Sequence, residues 1–81
     1  MGLRVSWSPA ALYRRERIHW RVVSDIEADV LKFARTGQGD IESEDGDRPL
    51  VRLYAAHGHV LEMRVDLIER TVYILRLYKR R

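Results

Sequence analysis

The segment VRLYAAHGHVLEMRV, residues 51–65, contains two histidines whose spacing is suited to chemistry. His57 and His59 flank one glycine between two runs in which apolar and polar residues alternate. A histidine changes protonation close to neutral pH, so it can act as an acid or a base, and its neutral ring binds metal ions. His57 falls in the turn between the runs, whereas His59 opens the second run. We therefore expect His59 to be the histidine with a functional role.

The histidine pair lacks an evident third metal ligand. The acidic residues that could complete such a site lie in the segment 37–49, GQGDIESEDGDRP, which we interpret as a solvated loop because of its three glycines, its proline and its acids. The spacing of these acids does not fit an EF-hand calcium loop. The sequence therefore predicts no metal and no other cofactor.

The last third of the chain interleaves arginine and tyrosine with apolar residues. Because successive side chains of a strand point to opposite faces, the polar residues of each run share one outward face. The residues predicted on this face are Arg52, Tyr54, Glu62, Arg64, Arg76, Tyr78 and Arg80. Guanidinium groups bind phosphate and aromatic rings stack on bases, so the face is a candidate RNA-binding surface. The alternative is that these side chains only cover a half-exposed sheet, with their stems packed on neighbours.

Three apolar residues are predicted on the same outward face. Strict alternation points Val60, Val72 and Ile74 outwards and leaves Tyr73 and Leu75 facing the core. An exposed apolar stripe of this kind indicates that a partner segment lies across the face.

The elements that position these residues follow from capping and turn signals. Ser8 precedes a proline, which is typical of a helix start, and Ser24 with Glu27 forms a capping-box pattern that ends at the C-cap Gly37. The predicted elements, in chain order, are a strand at Leu3–Trp7, a helix at Pro9–Trp20, a helix at Asp25–Thr36, the loop 37–49, and strands at Leu50–Ala55, His59–Asp66 and Thr71–Lys79.

This order, β-α-α-β-β-β, predicts an α+β fold. Two N-terminal helices, arranged as a helical hairpin, are expected to pack on one face of a small and mostly antiparallel sheet, which leaves the other face open. The chain of 81 residues, 46% hydrophobic and 33% charged, is typical of one globular domain, so residues 1–81 are assigned to a single domain.

The composition also limits the chemistry and the location. The chain has no cysteine, which excludes disulfides, thiolate metal sites and a cysteine nucleophile. No apolar run approaches the roughly 20 residues that span a bilayer, and the N-terminus has no signal-peptide core, so we expect a cytoplasmic protein with no membrane partner. The formal net charge of +3 is carried almost entirely by arginine, which favours contact with phosphate but also matches a GC-rich coding sequence.

Five segments carry a family resemblance. They are VSWSPAAL at 5–12, FARTG at 33–37, VRLY at 51–54, LEMRVD at 61–66 and RTVYILRLYKRR at 70–81. In this order and spacing the chain resembles the RelE/ParE superfamily of bacterial type II toxins over nearly its whole length. The resemblance implies a RelE-like fold and a toxin neutralised by a cognate antitoxin protein in a hetero-oligomer. RelE-like members cleave mRNA in the ribosomal A site, whereas ParE-like members inhibit DNA gyrase.

The resemblance also implies a set of site residues. Arg52 matches the first of a basic pair in the family's second strand, whereas Tyr54 replaces the second. The family's third-strand arginine falls on Val60 or, with a shift of one residue, on His59, and Arg80 matches the last arginine. The chain ends before the C-terminal aromatic residue or histidine of many members. The predicted catalytic residues are Arg52, His59, Arg64 and Arg80; the predicted RNA-binding residues are Tyr54, Arg76, Tyr78, Lys79 and Arg81.

These observations predict a ribosome-dependent mRNA interferase that inhibits translation, with the ribosome and mRNA as further partners. In this hypothesis the arginines hold phosphate, and His59 or Glu62 transfers protons. One alternative is a ParE-like toxin without nuclease activity that inhibits DNA gyrase. The other is an inactive relative that only binds its antitoxin partner.

Overall fold

The computed structural model describes residues 2–44 and 50–80. Within these residues two helices pack on a mixed sheet of five strands, so the predicted α+β class is confirmed. The elements are β1 (Arg4–Trp7), α1 (Pro9–Glu16), α2 (Trp20–Thr36), β2 (Ile41–Ser43), β3 (Val51–Tyr54), a 3-10 turn (Ala56–Gly58), β4 (His59–Asp66) and β5 (Thr71–Lys79). The strand order across the sheet is β1-β5-β4-β3-β2, in which β1 is parallel to β5 and the other neighbours are antiparallel.

The two helices begin at different kinds of cap. Ser8 caps α1, where its Oγ accepts a hydrogen bond from the Ala11 N–H at 3.1 Å. α1 ends at Glu16 rather than at the predicted Trp20, which instead begins α2. The cap of α2 is His19, whose Nδ1 accepts from the Arg21 N–H at 3.2 Å. A histidine is not among the strongly preferred N-cap residues, which is why the sequence did not mark this start.

The predicted capping box of α2 is wrong. Ser24 lies inside the helix, a full turn after the observed start. The Glu27 carboxylate is bound by Arg15 Nη2 at 2.7 Å, so it joins α2 to α1. The predicted C-cap is confirmed, because Gly37 ends α2 in the left-handed region with φ 76°. None of the described helices is both long enough and apolar enough to span a membrane.

The apolar stripe of α2 covers one face of the sheet. Its buried residues are Ile26, Val30, Phe33 and Ala34, as the helical spacing predicted. They pack against inward-facing side chains of β3, β4 and β5, which are Val51, Leu53, Leu61, Met63, Val72, Ile74 and Leu77. The opposite face of the sheet carries no described helix, and we call it the open face.

The segment predicted as a loop contains a strand. Ile41–Ser43 forms the edge strand β2, which pairs antiparallel with β3. The turn that leads into it depends on Gly39, because a Cβ at that position would lie 2.9 Å from Leu53 Cδ1. Three residues are too few for a clear periodicity, so pairing with β3 determines the strand. The remainder of the predicted loop, 45–49, lies outside the described residues.

A β-bulge in β5 changes which side chains reach the core. Glu62 pairs with Arg76, but the next residue of β4, Met63, pairs with Ile74, so Leu75 is the extra residue. Ile74 is therefore fully buried with Val72 in the core, and the predicted outward position of both residues is wrong. The bulge is bonded to the start of α1, because the Ser8 hydroxyl donates to the Leu75 carbonyl at 2.9 Å.

Candidate functional site

The open face carries two rows of side chains that cross its strands. The register aligns residues of β2, β3, β4 and β5 in a charged row, which consists of Glu42, Arg52, Glu62 and Arg76. The neighbouring positions form an aromatic row, which consists of Tyr54, Val60 and Tyr78. Positions two residues apart on a strand share a face, so both rows belong to one surface.

Arg52 is the centre of the charged row. Its Nη2 lies 2.6 Å from Glu44 Oε1, its Nη1 lies 3.5 Å from Glu42 Oε1, and its Nε donates to Glu62 Oε2 at 3.3 Å. The hydrogen bond and the charge of Glu44 are the main reason that the pKa of Arg52 is raised above its usual value. Arg52 is therefore a cation whose hydrogen-bonding groups are already bound to carboxylates.

Glu62 connects the two arginines of the row. Its other oxygen, Oε1, lies 3.3 Å from Arg76 Nη1. The Arg76 guanidinium also lies over the ring of Tyr78, with Cζ 5.4 Å from the ring centroid. The Glu62 carboxylate is buried but bonded to two cations, which is how a sheet surface accommodates a buried charge.

Tyr54 and Arg80 form the second contact of the open face. Arg80 Cζ lies 5.1 Å from the centroid of the Tyr54 ring, and the Tyr54 hydroxyl donates to Glu42 Oε2 at 3.2 Å. Desolvation, followed by the charge of Glu42, raises the pKa of the Tyr54 phenol above its usual value. At neutral pH the phenol therefore keeps its proton, so it can donate that proton but cannot act as a base.

A shallow cleft of about 610 Å³ lies over the aromatic row. Its lining residues are Asp40, Glu42, Arg52, Tyr54, Val60, Tyr78 and Arg80. Val60 forms an apolar floor between the two tyrosines, because it is only 2% exposed although it points away from the helices. The cleft therefore combines an apolar floor and two phenol rings with charged walls.

The walls of the cleft are not predominantly positive. Two guanidinium groups of the lining, from Arg52 and Arg80, meet two carboxylates of the lining, from Asp40 and Glu42, while Glu44 and Glu62 bind Arg52 from outside the lining. Arg52 and Arg76 are ion-paired with these carboxylates. Arg80 has no ion pair among the residues that the structure describes, so it is the cation most available to an incoming phosphate.

The predicted catalytic role of His59 does not agree with its position. His59 pairs with Lys79 and has the same strand parity as Leu61, so both residues belong to the helix-covered side of the sheet rather than to the open face. The His59 ring is 8% exposed, and its Nδ1 is buried with no hydrogen-bond partner among the described residues. The register therefore places His59 and Lys79, which were predicted as a catalytic and an RNA-binding residue, on the opposite side of the sheet from the arginines.

The other predicted residues lie around the cleft or outside it. Arg64 is exposed on the open face and pairs with Tyr73 of β5, beyond the charged row and away from the residues that line the cleft. Arg81 lies outside the described residues. The structure therefore brings together Arg52, Tyr54, Arg76, Tyr78 and Arg80, and leaves Arg64 at a distance along the strand.

His57 binds a helix rather than a ligand. Its Nε2 lies 2.7 Å from Asp25 Oδ2 of α2, and the neighbouring Ala56 N–H donates to Asp29 Oδ2 at 2.8 Å. His57 adopts the left-handed conformation with φ 58°, which the turn after β3 requires. Among the described residues no three His, Asp or Glu side chains come close enough to hold a metal ion.

Two carboxylates that bind Arg52, those of Glu42 and Glu44, were not predicted from the sequence. Glu42 and Glu44 lie on or next to β2, in a segment that was interpreted as a solvated loop. Both contact Arg52, which is eight or more positions away in the chain. The signal that could have found Glu42 is the alternation Ile41-Glu42-Ser43, which places the glutamate on the same face as Arg52 once the two strands are paired.

Comparisons with known proteins identify the fold of this chain. No protein-family model matches the chain, and no curated protein matches it significantly. Solved structures do match: the YoeB dimer from Staphylococcus aureus superposes with a TM-score of 0.74 at 18% identity and covers 100% of both chains. The archaeal RelE–RelB complex from Pyrococcus horikoshii superposes with a TM-score of 0.73 at 19% identity. The match covers 99% of this chain and 97% of that chain. The chain has a RelE-like fold.

A third RelE-like structure supports the same assignment. The toxin–antitoxin complex RelBE2 from Mycobacterium tuberculosis matches with a TM-score of 0.72 at 20% identity, over 99% of this chain and 100% of that one. The RelE-like fold thus extends along the whole chain and includes the sheet that forms the open face. The predicted resemblance to RelE-type toxins agrees with these structures at the level of the fold.

Proposed function

We propose that this chain is the toxin component of a type II toxin–antitoxin system, with a cognate antitoxin protein as its partner. The RelE-like fold along the whole chain supports the proposal, together with the fact that similar structures are a RelE–RelB complex and a toxin–antitoxin complex. We further propose that the toxin is a ribosome-dependent mRNA interferase and that the cleft of the open face is its active site. The observation that carries this activity is Arg80, a cation with no ion pair among the described residues, beside Tyr54 and Tyr78 in that cleft.

The cleft holds the groups that RNA cleavage by a 2′-hydroxyl needs. Attack of the 2′-oxygen on the adjacent phosphorus requires a base for its proton, a cation for the added phosphate charge, and an acid for the departing 5′-oxygen. In our proposal the Glu42 carboxylate accepts the 2′-hydroxyl proton, Arg80 binds the phosphate, and the Tyr54 phenol donates to the 5′-oxygen. Because Tyr54 and Glu42 are hydrogen-bonded at 3.2 Å, the proton on Glu42 can return to Tyr54 after the reaction.

Arg52 has a second role in this proposal. It binds a phosphate only after exchanging one of its carboxylate partners, and Glu42 is the one that can leave most readily, because it is the most exposed of the three and its Oε1 lies 3.5 Å from Arg52 Nη1. The ribosomal A site supplies a high local concentration of phosphate, which favours this exchange. The proposed activity therefore belongs to the ribosome-bound protein rather than to the free protein, in which the arginine is already paired.

The test is cleavage of mRNA on translating ribosomes, read by primer extension, for the wild-type protein and three variants. Arg80→Ala is expected to reduce the cleavage rate by about 10²- to 10³-fold, because it removes a cation from the transition state. Tyr54→Phe, which keeps the ring but loses the proton donor, is expected to reduce the rate by about 10²- to 10⁴-fold. Arg4→Ala is the matched control, since Arg4 is exposed on β1 outside the cleft, and its rate should remain that of the wild type.

The alternatives predict different results from the same proteins. Arg52 is engaged by three carboxylates, and this favours a surface that binds a partner protein rather than phosphate. A ParE-like toxin would inhibit DNA gyrase supercoiling while translation continues. An inactive relative would form the antitoxin complex but would not arrest growth on expression alone. Either result, or undiminished cleavage by Arg80→Ala, contradicts the proposed nuclease mechanism.

A further inference from the structure

The connection between α1 and α2 exposes two large aromatic rings. Tyr13 is 60% exposed near the end of α1, and Trp20 is 68% exposed at the start of α2. Burying such rings stabilises a small domain considerably, so their exposure indicates a surface used for contact. We call this surface the helical tip; it consists of Tyr13, Arg17, His19, Trp20 and Arg21.

Each ring of the helical tip is combined with an arginine. Arg17 Cζ lies 5.2 Å from the centroid of Tyr13, one helical turn earlier, and its Nη1 donates to the Tyr13 hydroxyl at 2.8 Å. Arg21 Cζ lies 5.2 Å from the Trp20 centroid. The His19 ring stacks beside Trp20 with centroids 5.7 Å apart and an interplanar angle of 27°. The rings are thus held in defined positions although they remain exposed.

The positive charge of the helical tip is not neutralised by the described part of the chain. Neither Arg17 nor Arg21 has a carboxylate partner there, and among the described residues their guanidinium groups contact only aromatic side chains. Arg15 differs, because it is paired with Glu27 at 2.7 Å and lies over Trp7, and it therefore has a structural role. Arg52 and Arg76 of the open face are also paired. Of the five arginines compared, only Arg17 and Arg21 lie next to exposed rings without a carboxylate partner among the described residues, and both belong to the helical tip.

Exposed rings beside free guanidinium groups are what a single-stranded nucleic acid needs. Bases that are not paired stack on aromatic side chains, and guanidinium groups take the phosphates between them. Arg17 and Trp20 are three positions apart, so their backbones are separated by at most about 11 Å, and one short stretch of strand can contact both. We propose that the helical tip is a binding site for RNA with unpaired bases. An acidic peptide would use the cations but would leave the rings without a role.

This site goes beyond the proposed nuclease activity. It is built from the helices, shares no residue with the cleft, and requires no ribosome. A toxin with this site would hold RNA through the helical tip independently of any chemistry on the open face.

The test is binding of a short fluorescent single-stranded RNA to the purified protein, followed by fluorescence anisotropy. Trp20→Ala is expected to weaken binding by about tenfold or more, because it removes one stacking platform. The double variant Arg17→Ala/Arg21→Ala is expected to lower the slope of log Kd against log salt by about 1.4, since each lost phosphate contact on a single strand contributes about 0.7. Quenching of tryptophan fluorescence by RNA should be lost in Trp20→Ala and kept in Trp7→Phe.

Two controls separate the helical tip from general charge effects. Arg4→Ala removes one positive charge, as does the loss of either Arg17 or Arg21, but Arg4 follows Leu3, whose N–H donates to the Ala34 carbonyl near the far end of α2. Ala34 is about 21 Å from Trp20 along the helix. Binding by Arg4→Ala should therefore equal that of the wild type. Thermal melts followed by circular dichroism show whether each variant is folded; the exposed position of Trp20 predicts an unchanged melting temperature.

Several outcomes would overturn the proposal. They are no RNA binding by the wild-type protein, equal binding by the wild type and the tip variants, or preference for an acidic peptide over RNA. They are distinguishable from failure of the nuclease proposal, because that failure appears as intact mRNA on ribosomes whatever the affinity for free RNA. Conversely, loss of free RNA binding in Arg80→Ala alone would place the RNA site on the open face and not at the helical tip.

Discussion

At the scale of single residues, the open face depends on how each charged group is neutralised. Arg52 contacts three carboxylates, whereas the guanidinium of Arg80 lies over the Tyr54 ring and has no ion pair among the described residues. Two arginines that looked equivalent in the sequence therefore differ in what they can bind. The carboxylate Glu42 contacts both Arg52 and Tyr54, so it couples the charged row to the aromatic row.

The phenol of Tyr54 provides a test of this coupling. Its pKa is raised above the usual value of about 10, by desolvation and then by Glu42. Glu42→Gln is expected to lower the pKa of Tyr54, because a neutral amide no longer opposes formation of the phenolate. Since the folded-state pKa is raised, the associated stability is complete below about pH 10 and is lost as the pH rises through the folded pKa. Ultraviolet titration of phenolate absorbance measures the shift.

Glu69, a carboxylate that is hydrogen-bonded to a different tyrosine, provides the control for this measurement. Tyr73 also has a raised pKa, owing first to its hydrogen bond with Glu69, whose Oε2 lies 3.2 Å from its hydroxyl. Glu69→Gln should change the titration of Tyr73 and leave that of Tyr54 as it is, and a Tyr54→Phe background identifies which phenol titrates. If Glu42→Gln left the titration of Tyr54 unaltered, the contact between them would not exist in solution.

At the scale of elements, the helices and strands differ in how well local signals mark them. The bounds predicted for the strands at 59–66 and 71–79 equal the observed β4 and β5, because both are long and rich in β-branched and aromatic residues. The start of α2 was placed five residues too late, because the serine of an apparent capping box is exposed inside the helix and the true cap is a histidine. A capping pattern is a local signal, and tertiary contacts can extend a helix past it.

The two serines that resemble helix caps give a direct comparison. Ser8→Ala should destabilise the protein by about 1–2 kcal/mol, because it loses both the N-cap bond to Ala11 and the bond to the Leu75 carbonyl. Ser24→Ala should change stability by less than about 0.5 kcal/mol, since Ser24 is an exposed residue inside a helix. Urea unfolding measures both values. Equal losses would mean that α2 begins at Ser24 after all.

At the scale of the whole molecule, one small core supports both proposed surfaces. α2 and the inner face of the sheet bury the core, while the open face and the helical tip remain accessible. The bulge in β5 is decisive for this arrangement, because without it Val72 and Ile74 would lie on the open face and the core would lose two of its fully buried residues. The bulge therefore keeps Val72 and Ile74 off the open face beyond the charged row.

Alanine substitutions at the bulge test which residues of β5 face the core. Ile74 is fully buried, so Ile74→Ala should destabilise the protein by about 2–5 kcal/mol. Leu75 is only half-buried and lies outside the core cluster, so Leu75→Ala should cost about 1 kcal/mol or less. Denaturant unfolding gives both values. If Leu75→Ala destabilised the protein more than Ile74→Ala, the side chains of β5 would alternate without a bulge and Ile74 would lie on the open face.

The sequence by itself determined the α+β class, the core stripe of α2, the bounds of β4 and β5, and the presence of Arg52, Tyr54, Arg76, Tyr78 and Arg80 on one face. These features follow from periodicity and propensity, which act over a few residues. Only the tertiary structure decided that Ile74 is in the core and that Glu42 and Glu44 neutralise Arg52. These facts depend on strand register, and one residue of shift moves a side chain to the opposite face of the sheet.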